Sequence, residues 1–244
     1  MVIDPFTVGG YRRTIVIRPG EGRSIAALED DYHAMAVTLR HDGTTICGLD
    51  AEMARVPWTP CPGASAVIER TFVGVGLDGA VKRGDKRANC THLYDLVLLA
   101  AAHAHDGRDT AYTIAVSDPR DGEVHAQIRK DGAPLLTFVH TRDLLSWPVA
   151  VAGRTLFELR DWIAALPDPA LQEAARLLQW ATIIAHGRLL TMEQHADISG
   201  TPTSCYTFQP ERRGAAVRHI ETIRDFGAGG PSPLDGFDGA RFAS

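Results

Sequence analysis

Two short segments of the chain concentrate groups able to move protons or hold an oxygen anion. They are Arg55-Val56-Pro57-Trp58-Thr59-Pro60-Cys61-Pro62-Gly63-Ala64 and Asn89-Cys90-Thr91-His92-Leu93-Tyr94-Asp95-Leu96. Each sets a cysteine where a loop gives way to a helix, and the second adds a histidine within the first helical turn. Helix starts present free backbone N–H groups and the positive end of the dipole, which suits thiolates, carboxylates and bound anions. Asp31 and His33 supply a further carboxylate and imidazole upstream. On this reading Asp31 orients or charges His33, and His92 donates or accepts a proton. Tyr94 or Tyr32 meets a phenol or hydroxyl, Arg55 holds an anionic oxygen, and Trp58 stacks on a ring. Such groups work by positioned proton transfer when they converge within hydrogen-bond reach. His33, His92, Asp31 and Tyr94 are thus the candidate catalytic residues. Arg55, Trp58, Tyr32, Cys61, Cys90 and Thr91 are the candidate substrate contacts.

Other chemistries use the same atoms. Cys61, Cys90, His92, Asp31 and His33 are suitable donors for zinc or iron, but no close C-x-x-C or H-x-x-x-H spacing joins them. His103 shares a helical face with His92 but stands three turns away, too far to share one ion. A Cys90 nucleophile would need its base from elsewhere, because side chains two apart in a first helical turn diverge; His33 is the better-oriented candidate. Cys61 and Cys90 serve equally well as small buried hydrophobes. No G-x-S-x-G, phosphate loop or dinucleotide fingerprint appears. The expectation is a site without metal or cofactor, with a zinc or iron enzyme as the alternative.

The segments CPGA and CTHLYDL, after DDYH, resemble a bacterial family of largely uncharacterised proteins, a domain of unknown function. The resemblance runs over roughly Arg13 to Trp180. It implies that some relatives act in the breakdown of plant-derived aromatic compounds, including by lyase chemistry. For a hydroxyl-bearing substrate, that implies loss of the side-chain O–H proton, C–C cleavage and release of a small aldehyde such as formaldehyde. An aromatic system with a para-phenol accepts the electrons.

The elements that must position these residues read as α+β: an antiparallel sheet packed against a central apolar helix, with helices attached toward the C-terminus. Arg13–Arg18 reads as a strand stopped by Pro19-Gly20. From Ser24 to Arg40 the alternation continues as one long strand, placing Asp31 and His33 on one side beside Met35, Val37 and Leu39. His41-Asp42-Gly43-Thr44 turns the chain back into Thr45–Leu49. Ala64–Phe72 fits a short helix. The Cys90–His105 stretch fits the apolar helix, with Asn89 as its N-cap. Thr110–Val116, Glu123–Arg129 and Leu135–His140 read as a meander, in which His125 falls on the solvent parity. Thr155-Leu156-Phe157-Glu158 fits a capping box, and Asp168-Pro169 opens a long helix with a stripe from Leu171 to Ala185. A short helix over Ala215–Ile223 is a further expectation.

The reading places one catalytic or binding domain over 1–196 and an irregular segment over 197–244. Glycines concentrated from residue 227 mark a poorly ordered tail. At 244 residues, 45% apolar and 23% charged, the chain is an ordinary globular protein. A formal charge of -5, from 30 acidic and 25 basic residues, gives no pull toward nucleic acid or an anionic membrane. The opening Met1-Val2-Ile3-Asp4-Pro5 lacks a signal-peptide pattern, and no apolar run reaches membrane-span length. The four cysteines are sparse for a disulfide scaffold, so free thiols in the cytoplasm are expected. The expected partner is a small aromatic substrate, and the helices bearing Trp162 and Trp180 would suit a homodimer. Two non-catalytic classes use the same features: a binding protein with the same pocket, and an assembly subunit with an exposed apolar face.

Overall fold

The computed structural model describes residues 3–84, 86–198, 200–227 and 229–236. Its strands and helices, in chain order, are β1 (Gly10–Gly20), β2 (Arg23–Asp30), β3 (Ala34–His41), β4 (Ile46–Arg55), α1 (Ala64–Phe72), α2 (Thr91–Ala102), β5 (Thr110–Ser117), β6 (Val124–Lys130), β7 (Ala133–Thr141), β8 (Leu144–Trp147), α3 (Arg160–Ala164), α4 (Pro169–Ala185), α5 (Met192–Ala196) and α6 (Pro210–Arg213). The fold is mixed α+β. Among the described residues, contacts group into two compact units. One gathers residues 15–110, 191–224 and 234 onward; the other gathers those up to 14, 111–190 and 225–233. Residues 191–224 thus cluster with 15–110, whereas the sequence set 197–244 apart.

In the first unit the strand order is β4-β3-β2-β1, and β2, β3 and β4 pair antiparallel. Residues 24–40 are not one strand. β2 ends at Asp30, a turn follows, and β3 starts at Ala34 with Glu29 opposite Ala34 and Leu28 opposite Met35. The alternation is real on each side, but the turn breaks its phase. The orientation argued for Asp31 from strand parity therefore fails. α2 packs on β2 and β3, burying Leu93, Leu96, Val97, Leu99 and Ala100. α1 lies on β4 through buried Ala64, Ile68 and Phe72. Cys90, rather than Asn89, is the N-cap of α2. The Asn89 side chain is wholly buried and bonds instead to the Thr71 hydroxyl, at 3.2 and 3.3 Å.

In the second unit the order is β5-β6-β7-β8, an antiparallel meander. Ile128 faces Ile114 on one side and Leu136 on the other. Asp131-Gly132 joins β6 to β7 with φ of 50° and 83°, the paired positive values that a two-residue Asp-Gly hairpin turn requires. α4 packs on β6 and β7. Asp168 caps α4 by accepting from Ala170 N at 2.9 Å, with Pro169 at the first helical position. The expectation that His125 faces solvent is corrected: it is 4% exposed. The N-terminal segment covers it, and Ile3 N–H donates to its Nδ1 at 3.4 Å. Instead of one helix over Ala215–Ile223 there is a single 3-10 turn at Ile220–Thr222. Of the expected disordered tail over 227–244, residues 228 and 237–244 lie outside the described residues. Among the described residues no helix is long and apolar enough to cross a membrane.

His140 on β7 is fully buried, and its Nδ1–H donates to the Arg142 carbonyl, which leaves Nε2 buried with no partner among the described residues. Burial, the largest influence, holds its pKa down to about 4. Burial likewise lowers His125, His186 and, in the other unit, His41. Each of these binds its proton more readily unfolded than folded. Stability is thus full above the unfolded value of 6.5 and is lost as the pH falls toward about 4. His140→Gln should remove up to about 3 kcal/mol of that pH dependence, read as urea unfolding at neutral and acid pH. An unchanged slope would contradict this account.

Candidate functional site

The site is built on the turn between β2 and β3. Asp30, wholly buried, ends β2, and its N–H donates to the His33 carbonyl at 2.9 Å. Its Oδ1 accepts from Tyr32 N and His33 N, both at 2.8 Å. These are the local bonds by which aspartate tightens a turn. The same carboxylate meets His33 Nδ1, at 3.0 Å from Oδ1 and 3.2 Å from Oδ2. A carboxylate only accepts, so Nδ1 carries the proton and the His33 Nε2 is left with the lone pair. α2 then brings His92 beside it, with ring centroids 3.9 Å apart and planes inclined at 33°. His33 is buried and His92 half-buried. Two imidazoles this close repel one another when both are charged, so protonating one disfavours protonating the other.

Asp30 takes the role expected of Asp31. The Asp31 carbonyl accepts from Arg55 Nη1 and Arg224 N, at 2.9 and 2.8 Å. Arg55 is likewise not an anion holder. Its Nη2 reaches the Asp30 and His33 carbonyls, at 2.6 and 3.1 Å, and Glu29 Oε1 at 3.0 Å, so the guanidinium clamps the turn from below. Tyr94 is corrected too. It lies two positions from His92, about 200° around the helix, and its hydroxyl donates to the Arg83 carbonyl while its ring packs on Phe72. Asp95 pairs with Lys86 at 2.6 Å. Tyr32 stays with the site, its ring edge-on to His33 at 6.3 Å. Thr91 opens α2 as its first residue.

The proline-rich loop meets the returning C-terminal segment. Thr59 N donates to Val217 O at 3.0 Å, and His219 N donates to Pro57 O at 2.9 Å. Trp58 and Arg218 thereby form a β-bridge, and the Arg218 guanidinium lies 5.2 Å from the Trp58 ring centroid and 5.3 Å from that of Tyr32. Tyr206 N donates to Asn89 O at 2.9 Å, and Cys61 Sγ sits 3.2 Å from the Thr207 hydroxyl. Gly63 is explained by the same segment: a Cβ there would fall 2.5 Å from the Tyr206 hydroxyl oxygen.

Asp30 and Arg218 are the residues that sequence reasoning missed. The first had a signal, since an aspartate followed by two more polar residues can close an aspartate turn and break a strand. The second had none, because its place depends on pairing far along the chain. Which groups could hold a metal is also clear. Among the described residues Asp30, His33 and His92 offer one ligand atom each, all within 4.8 Å of one another. One carboxylate and two imidazoles suit zinc or iron.

The cysteines sit at helix starts as expected, but the thiolate chemistry does not follow. Burial outweighs the amides and pushes the Cys90 thiol up to about 12, and it raises Cys61 and Cys205 as well. The cysteine-nucleophile reading of Cys90 loses its basis.

No protein-family model matches the chain, and no curated protein matches it.

Two outcomes follow from this geometry. Arg55→Ala should cost about 3 kcal/mol or more in urea unfolding, because it strips a buried cation from Glu29 and three carbonyls at once. A loss below 1 kcal/mol, roughly that of an exposed pair, would show that the clamp is not structural. An aromatic disulfide reagent at mildly alkaline pH should modify Cys47, the exposed thiol, quickly in native protein and reach all four only after unfolding. Rapid native reaction at Cys90 would contradict its burial.

Proposed function

We propose that this protein is a proton-transfer enzyme acting on a small phenolic substrate, with His33 as general base and His92 as the second proton carrier. The observation that carries the reading is the Asp30–His33 bond. A buried carboxylate on Nδ1 fixes ring and tautomer, leaves Nε2 as the basic nitrogen, and stabilises the imidazolium formed when it takes a proton. The family resemblance of the CPGA and CTHLYDL segments supports a carbon–carbon lyase of aromatic-compound breakdown. Its reaction runs on a para-quinone methide with a hydroxymethyl group on the side-chain carbon next to the methide. His33 Nε2 takes the hydroxyl proton, and the O–H electron pair becomes the second bond of formaldehyde. The pair of the broken C–C bond passes through the side chain into the ring, which becomes aromatic as its oxygen takes up a proton relayed through His92. α2 serves as the central apolar wall behind this pair. A cytoplasmic setting and a homodimer accompany the reading.

The test is formaldehyde release from para-hydroxyphenyl compounds with a leaving group on the benzylic carbon and a hydroxymethyl group on the next carbon, whose loss of the leaving group gives the quinone methide. His33→Gln should lower it about 10²–10⁴-fold, and Asp30→Asn, which leaves the imidazole in place with the wrong partner, by a comparable factor. Full activity in both variants would sink the proposal.

A second reading is supported by the three converging ligand atoms of Asp30, His33 and His92. These residues would hold a divalent zinc or iron ion, which would supply Lewis-acid polarisation of a substrate oxygen. Elemental analysis of protein purified without added metal or chelator separates the two. A stoichiometric ion lost in His92→Ala favours the metal enzyme, and turnover that survives chelation favours imidazole chemistry alone.

A further inference from the structure

The proton-transfer reading leaves one group of the site without a role. Arg218 stands in a β-bridge with Trp58, half-buried, with its guanidinium beside the rings of Trp58 and Tyr32. Its Nε is buried and finds no hydrogen-bond partner, and among the described residues its side chain makes no ion pair. Of the other arginines at this turn, Arg55 bonds to its carbonyls and to Glu29, and Arg224 reaches Glu29 at 3.4 Å. Burial lowers the Arg218 pKa, while the nearby Tyr32, Cys61 and Asp30 act in the opposite sense.

A guanidinium stays charged at any pH a protein survives, so its lost hydration has to be made good. The two ring faces return part of it, and they leave the planar fork of donors in need of an acceptor. An aromatic ligand that brings such an acceptor would meet this same aromatic cluster. Tyr32 links the two ends of the arrangement, since its ring touches Arg218 on one side and His33 on the other.

We propose that Arg218 is the anion-recognition residue of this site, binding an anionic oxygen conjugated to the aromatic ring of the ligand. The inference rests on the proton-transfer reading for its place in a reaction, but not for the binding itself. It narrows the substrate class to aromatic carboxylates or phenolates. The anion anchors the ring at Arg218, and the side-chain hydroxyl is presented to His33.

The test is calorimetric binding of three probes at one pH: 4-hydroxybenzoate, 4-nitrophenolate and the neutral 4-hydroxybenzamide. At least one anion should bind about tenfold or more tightly than the amide, the scale of one charge-assisted hydrogen bond. The tighter anion identifies a carboxylate or a phenolate source. Arg218→Gln should abolish the preference, and Arg218→Lys, which keeps the charge without the fork, should keep part of it. Should Arg218→Gln fail to fold, the native preference and Arg218→Lys still decide. Equal affinity for all three probes, no measurable binding of any, or an undiminished preference in folded Arg218→Gln would overturn the assignment. His33→Gln should lose turnover and keep the anion preference. That separates the two proposals, because a preference that persists in a protein with no lyase activity leaves the binding role standing and removes the reaction.

Discussion

The carboxylate of Asp30 is the constraint on which the site depends. A charge with no exposed surface persists inside a protein only if hydrogen bonds replace its water. Here two backbone amides and one imidazole do so. The same three bonds close the turn between β2 and β3, fix the tautomer of His33 and set the orientation of its ring. Arg55 completes the arrangement from the other side by occupying the outward carbonyls, and Arg224 adds one more backbone bond to Asp31. Local structure and chemistry therefore share one set of interactions. The imidazole cannot be displaced without opening the turn, and the turn cannot open without stranding a buried charge.

Packing decides how much this matters. β2 and β3 form one wall and α2 lies across them, so the hairpin that carries His33 and the helix that carries His92 are held by the apolar contacts of Leu93, Leu96 and Val97. His92 stands on the first turn of α2, near the sheet face, and the 3.9 Å ring separation follows from that docking. The thiols show the same precedence of packing over local electrostatics. A helix N-terminus favours a thiolate, but the field of a few amides is outweighed when the sulfur is sealed from water. The result at Cys90 is a thiol that stays protonated well past neutral pH.

The elements most legible in the sequence are those whose signals are short-range. The Asp131-Gly132 turn, the Asp168-Pro169 helix start and the period-2 run of β6 each state their geometry within a few residues. His33 and His92 were legible as chemistry from their types and setting. The pairing of His33 with Asp30 rather than Asp31 was not, because a turn hidden inside an alternating run shifts parity by an amount that the run itself does not encode. His125 shows the same limit: β6 alternates as a half-buried strand should, yet the N-terminal segment covers the face that the alternation marks as wet. The places of Arg55 and Arg218 were illegible for one reason. An arginine serves whatever acceptors the fold brings to it, and those acceptors are set by contacts across more than twenty residues for one and more than a hundred for the other.

The bridge between Trp58 and Arg218 has a consequence for how the site comes into being during synthesis. The imidazole pair needs only the first hundred or so residues, because β2, β3 and α2 are close neighbours along the chain. The guanidinium arrives more than a hundred residues later, through a loop closure whose entropy cost grows slowly with length but must be met before any contact rewards it. A nascent chain can thus fold its basic pair well before it owns the cation opposite. The two imidazoles and the guanidinium thus come together at different times, and a chain that stalls between them would hold the one without the other.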